Sequence, residues 1–416
     1  MAERDGSAGG LRVAQFRDAR RGRPAWMRLL GAAGRLAPRL AAPSADAWWR
    51  SARLAVPGVE PDPHAVEALA ELVASLERDA RLHLVGRLAA RDDCVRMART
   101  HLRIEAALRE EPAILATVLP EPVFIVGWPR TGTTFLHTLL AEDPAHRSLP
   151  YWESFDPVPP RGAPDRRAER LDRMLARLAT LAPDYQAIHP MAARQAEECV
   201  ALFTNVFRTL QYDFQYRVPG YVEWLLAQDA RIAYQAYRRQ LQLVQHHRPC
   251  GERLVLKDPT HLVHLETLLE RFPGARIVFT HRDPARALSS IASLTAHTRA
   301  IFSDDVDPRA IGREILDGCW PPALERALAL RERLPADRFA DVRHADLVRD
   351  PLASVRRLYA DLGLELSPAA LDAMRGFVAA RAAGPPRVHE HAAEAFGLET
   401  GAIRERFAPY CERFGL

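Results

Sequence analysis

Lysine is almost absent from this chain: of its 57 basic residues, all but Lys257 are arginine. A sequence that meets every other need for positive charge with guanidinium keeps one ammonium, a compact donor that can also release a proton. Cysteine is scarce as well. Cys94, Cys199, Cys250, Cys319 and Cys411 are odd in number, scattered and without a C-x-x-C pair. That usage points to neither a disulfide framework nor a zinc site, and fits a reducing, cytoplasmic compartment. No uncharged apolar run reaches the roughly 18 residues of a membrane helix. The first residues mix acids with arginines and build no apolar leader. A net charge of only +4 gives no reason to expect nucleic acid as a partner. Internal repeats and low-complexity segments are missing too.

What is present is the composition of a soluble globular protein, 48% hydrophobic and 26% charged over 416 residues. The charge is uneven. Residues 1–55 carry eleven arginines against Glu3, Asp5, Asp18 and Asp46. A basic amphipathic helix around Arg23 to Leu40 would suit a membrane surface or an acidic partner, but its basic face is sparse, so a solvated arm is the simpler expectation. From Pro61 to about Leu115 apolar residues recur at helical spacing (Val66, Leu69, Leu72, Val73, Leu76), with Asp62 or Pro63 as the start signal. The expected layout is an arginine-rich arm over 1–57, a helical lead-in over 58–118, and a main domain over 119–416 with a helical insertion at about 160–250.

The main domain turns on residues 122–140. Pro122 to Val126 is a short apolar, β-branched run that predicts a buried strand. The chain then breaks from Gly127 to Gly132 and resumes with Phe135, Leu136, Leu139 and Leu140 at helical spacing. Strand, glycine-bounded loop and helix together aim backbone N–H groups and a helix dipole at an anion. The spacing is that of a phosphate loop, with Thr133 where lysine usually stands and Arg130 as the nearest positive charge. Leu149 to Glu153 is expected to rejoin the sheet, and 165–182 and 192–248 to be helical, the latter with an aromatic cluster expected to be core. Further βα units follow: Leu254 to Leu256 before Lys257-Asp258-Pro259, Arg276 to Thr280 before His281-Arg282-Asp283-Pro284, and Phe339 to Arg343. Strands alternating with helices predict an α/β, phosphate-loop three-layer fold: a central parallel sheet flanked by helices, with ligands at the strands' carboxyl ends. A kinase or triphosphatase would need the loop lysine and an acidic strand end for Mg²⁺. Here the later strand ends are basic, which suits a dianion held without a metal.

These residues resemble the sulfotransferases that use 3'-phosphoadenosine 5'-phosphosulfate (PAPS). Gly127-Trp128-Pro129-Arg130-Thr131-Gly132-Thr133-Thr134 resembles the family's 5'-phosphosulfate loop. Arg282-Asp283-Pro284-Ala285-Arg286-Ala287-Leu288-Ser289-Ser290 resembles its 3'-phosphate motif, with Arg282 and Ser290 on the phosphate-holding positions. Lys257-Asp258-Pro259 is similar to a segment of the tyrosylprotein branch, where the lysine lies beside the transferred sulfuryl group. In that branch a glutamate after the loop helix is the catalytic base, and Glu153 stands there. The broadest likeness, over roughly 58–416, is to bacterial sulfotransferase-like proteins with a helical lead-in. The resemblance implies transfer of a sulfuryl group from PAPS to a hydroxyl of a small-molecule, lipid or carbohydrate acceptor, with no metal. Arg130, Thr131, Gly132, Thr133 and Thr134 would bind the donor, and Lys257, Glu153 and Arg130 would act on the reacting atoms. His137, His189, Glu197 and Glu198 are rivals to Glu153 as the base. The glycine-rich C-terminal segment of cytosolic members is not evident, and Gly384-Pro385-Pro386-Arg387-Val388-His389 has prolines where basic residues are expected.

Overall fold

A computed structural model describes residues 41–181, 191–383 and 392–416. His189, the Arg23–Leu40 stretch and the 384–389 segment lie outside the described residues. The sheet has five parallel strands: β1 (Pro122–Val126), β2 (His146–Arg147), β3 (Arg253–Lys257), β4 (Arg276–His281) and β5 (Phe339–Arg343), in the order β2-β3-β1-β4-β5. Successive side chains of a strand point to opposite faces, and here they enter two different cores. Val123 and Ile125 join Val255, Val278 and the loop-helix residues Leu136 and Leu139 on one side. Phe124 and Val126 join Leu254, Leu256, Ile277 and Phe279 on the other. Both faces are covered, which is why these strands read as continuous apolar runs.

The lead-in belongs to the second core. Its helices Pro63–Arg78 and Leu84–Glu110 contribute Leu69, Leu72 and Leu102, each fully buried, and helix Ala45–Ala55 adds Trp48 and Trp49. Asp62 caps the first of the two, accepting from the His64 N–H at 2.7 Å, and Pro63 opens it, where a missing N–H costs nothing.

Two elements depart from the expectation. The strand that rejoins the sheet is His146–Arg147, and Tyr151–Phe155 is a short helix carrying Glu153. Pro150 stops the extended run and occupies the N-cap position. Residues 192–199 are not helical. They run alongside 149–152, with Tyr151 N–H donating to Gln195 O at 2.9 Å and Glu197 N–H to Leu149 O at 3.1 Å. Helix resumes in short pieces (Val200–Thr204, Gln211–Gln215, Pro219–Ala227) before the long Ala230–His247. The aromatic cluster is core: Tyr212, Tyr221 and Tyr237 are almost wholly enclosed.

Candidate functional site

Register sets the site. Ile125 lies opposite Lys257 on β3 and Val126 opposite Phe279 on β4, so the residues after β1 emerge level with Lys257 and Thr280. The loop turns through three residues with positive φ: Gly127 (141°), Arg130 (69°) and Gly132 (94°). Glycine is required at 127, because a Cβ there would lie 2.4 Å from Thr280 Oγ1. Thr131 Oγ1 donates to Trp128 O at 2.7 Å and shares a 2.6 Å hydrogen bond with Thr280 Oγ1. Trp128 anchors the loop, its Nε1–H donating to Trp320 O at 2.9 Å and its ring meeting Phe407 edge-on. Gly132 caps helix Thr133–Leu140 without a side-chain hydrogen bond, leaving the first N–H groups aimed into the loop.

Arg130, Arg282 and Ser290 converge from β1 and the end of β4. Arg130 Nε–H donates to Ser290 Oγ at 3.2 Å, and Arg282 Nη1–H to Arg130 O at 2.6 Å. Burial, and then the nearby Arg130 and Arg286, hold the Arg282 guanidinium below its ordinary pKa. Burial and the same arginines push His344 down to about 4. The one acid in the motif, Asp283, is committed elsewhere: it caps helix Pro284–Phe302 and pairs with Arg404 Nη2 at 2.6 Å. Like charges gathered in partly desolvated space are unfavourable unless an anion joins them. The cluster therefore fits a phosphate.

Lys257 is the last residue of β3 and fully buried. Its Nζ donates to Thr134 Oγ1 at 3.2 Å and forms an ion pair with Glu198. Cys199 N–H donates to Lys257 O at 2.9 Å, which fixes Glu198 beside the lysine. Glu197 faces elsewhere, its Oε1 accepting from the Glu198 N–H at 3.0 Å. Asp258 Oδ1 caps the turn after the lysine, accepting from Thr260 N–H and Oγ1–H.

Glu153 has different company. It is 2% exposed, with Arg147 Nη2 at 3.0 Å and Arg248 Nη1 at 3.8 Å from its Oε2. Burial pushes its carboxyl up against the pull of these arginines. His137 is enclosed under the loop helix, with Nε2 3.1 Å from Val255 O, and burial next to Lys257 pushes it down to about 3. Thr280 and His344 were not legible as loop neighbours. Each ends or follows a strand without a motif, and only the β4–β1 and β5–β4 pairings bring them in. A cavity of about 240 Å³ lined by Asp62, His101, Glu105, Arg208 and Arg239 is a separate feature, because none of Arg130, Lys257 or Arg282 reaches it.

A family model described as "Sulfotransferase family" matches residues 122–368. Curated relatives named "Omega-hydroxy-beta-dihydromenaquinone-9 sulfotransferase Stf3", from Mycobacterium bovis and Mycobacterium tuberculosis, are 30% identical over 276 residues. That span is 60% of this chain and 65% of theirs, so the match covers just under two thirds of the relatives' length. The crystal structure of sulfotransferase STF1 from Mycobacterium tuberculosis H37Rv is similar at a TM-score of 0.77 and 31% identity, over 89% of this chain and all of that one. Sulfotransferase STF9 from Mycobacterium avium is similar at 0.80 and 27%, over 89% and 97%.

Proposed function

The chain belongs to the sulfotransferase family, and from that premise we propose that it transfers the sulfuryl group of PAPS to an acceptor hydroxyl. The observation that carries this reading is Lys257: the single lysine, wholly buried at a strand end, bridging the loop hydroxyl of Thr134 and the carboxylate of Glu198. In the proposed reaction the acceptor oxygen forms a bond to sulfur as the bond from sulfur to the bridging phosphate oxygen breaks. The loop N–H groups, Arg130, Thr133 and Thr134 hold the 5'-phosphosulfate. Arg282 and Ser290 hold the 3'-phosphate. Lys257 stabilises negative charge growing on the bridging oxygen, and positioned donors of this kind contribute about 3–4 kcal/mol each in other enzymes.

The acceptor proton goes to Glu198 in this proposal. Glu198 stands against Lys257 with a side chain 20% exposed, whereas Glu153 is 3% exposed and held by two arginines. A base must lie within hydrogen-bond reach of the proton it takes, and geometry comes before pKa. The curated relatives are named for an omega-hydroxy-beta-dihydromenaquinone, which supports a hydroxyl acceptor; a small molecule, lipid or carbohydrate would present one.

The test is calorimetric titration with adenosine 3',5'-bisphosphate, followed by transfer of label from PAPS to a panel of hydroxyl compounds. Binding is expected without added metal. Lys257→Ala is expected to keep the nucleotide and lose transfer by about 10²–10³-fold. Absence of nucleotide binding at millimolar concentration would sink the reading.

A further inference from the structure

We infer that Glu111, His246 and His247 form a binding site for one divalent transition-metal ion of the zinc class. Glu111 is the C-cap of the lead-in helix Leu84–Glu110, and the histidines are the last two residues of helix Ala230–His247. His246 Nε2 lies 3.0 Å from Glu111 Oε1 and His247 Nε2 3.9 Å from Oε2, with one ligand atom from each residue within 4.8 Å of the others. These separations bracket the roughly 3.3 Å edge of a tetrahedron with metal–ligand bonds of about 2.0–2.1 Å. Two imidazoles and a carboxylate are a donor set zinc takes readily, with a fourth position left for water.

A second contact orients the set. Thr117 Oγ1 lies 2.9 Å from His246 Nδ1. When that hydroxyl accepts the Nδ1–H, the Nε2 lone pair faces the Glu111 carboxylate at 3.0 Å. In the other tautomer Nε2–H donates to Glu111, and metal binding selects the one whose Nδ1–H Thr117 accepts. Outer partners of this sort fix the tautomer of metal-bound histidines. The guanidiniums nearby are already compensated: Arg161 pairs with Glu110, and Arg167 with Asp165 at 2.8 Å. Side-chain exposures of 27%, 29% and 38% leave the three ligands accessible to an incoming ion.

This departs from the expectation of no zinc site, which rested on the cysteines, and no thiol takes part here. The bound ion would clamp the lead-in to the helix preceding Arg248, one of the partners of Glu153. It would stabilise only the folded chain, because residues 111 and 246 come together only there.

Full-length protein stripped with a chelator is titrated with zinc by equilibrium dialysis, with metal content and thermal midpoint as readouts. Cobalt(II) absorption reports the geometry. The expected result is one zinc per chain, micromolar or tighter, with the midpoint raised by a few degrees at saturating zinc. Glu111→Gln and His247→Ala should each weaken binding by about tenfold or more, and His246→Ala with His247→Ala should abolish it. Cys250→Ser, removing the exposed thiol nearby, should change nothing. Glu111→Gln keeps shape and is expected to fold, which circular dichroism checks. No zinc bound at about a hundred times the micromolar range, or binding that survives loss of both histidines, overturns the proposal.

Discussion

Two glutamates, Glu153 and Glu198, compete for one role, and their environments separate them. Glu153 is sealed between Arg147 and Arg248, while Glu198 reaches the single lysine. Removing one partner of a buried pair leaves an uncompensated charge and is strongly destabilising. Glu153→Gln is therefore expected to lower the unfolding midpoint in urea while changing turnover modestly. Glu198→Gln also takes the carboxylate from the buried Lys257, so its midpoint is expected to fall as well, but its folded fraction is expected to lose about 10²–10⁴-fold in kcat, the usual worth of a general base. Measuring both variants by denaturation and by sulfuryl transfer decides the assignment, and the reverse pattern would return the role to Glu153. The sequence pointed to Glu153 because it follows the loop helix at a short distance. Glu198 is 68 residues beyond Arg130 in sequence, and only the backbone hydrogen bond from Cys199 to Lys257 shows where it goes.

At the scale of elements, the candidate site is assembled from the ends of β1, β3 and β4. Each end was readable because a buried run stops at a polar residue. Their arrival at one point depends on β1 lying between the other two. Arg282 and Ser290 sit eight residues apart across a strand-to-helix turn, and both contact Arg130. Arg282→Ala is expected to weaken adenosine 3',5'-bisphosphate by about 10–100-fold, the worth of one or two charge-assisted hydrogen bonds. Titration of the 5'-monophosphate gives the control: its affinity should change much less. Equal losses for both ligands would mean that Arg282 shapes the loop and does not read the 3'-phosphate. The segment from Leu149 to Glu153 was not legible. A five-residue apolar and aromatic run has the same appearance as strand or buried helix, and Pro150 tips it to helix by capping.

Across the whole molecule, the lead-in and the sheet share one apolar cluster reaching from Trp48 to Tyr410. The chain over the described residues is therefore expected to unfold as one unit. Its pH dependence follows from buried histidines. Burial pushes His101 down to about 4, and His137 and His261 to about 3. In the unfolded chain such groups titrate near 6.5. Below that pH the unfolded chain takes up protons that the folded one refuses, so stability is full above about 6.5 and falls as the pH drops toward the folded values. Each group contributes at most about 1.4 kcal/mol per pH unit in that window. Urea midpoints at pH 7 and pH 5 check it: the midpoint should be lower at pH 5, and an unchanged one would mean these rings are not buried neutral.

The sequence by itself determined the layered α/β fold, the anion loop, and the singular status of Lys257. These are local properties: hydrophobic period, glycine placement, and one residue type used once. The tertiary structure alone decided which acid meets that lysine, and that Arg130 joins the loop after β1 to Arg282 and Ser290. It also brought Glu111 to His246 and His247. Those facts depend on register and on long returns of the chain, and a contact between residues 59 or 135 apart leaves no trace in the spacing of either.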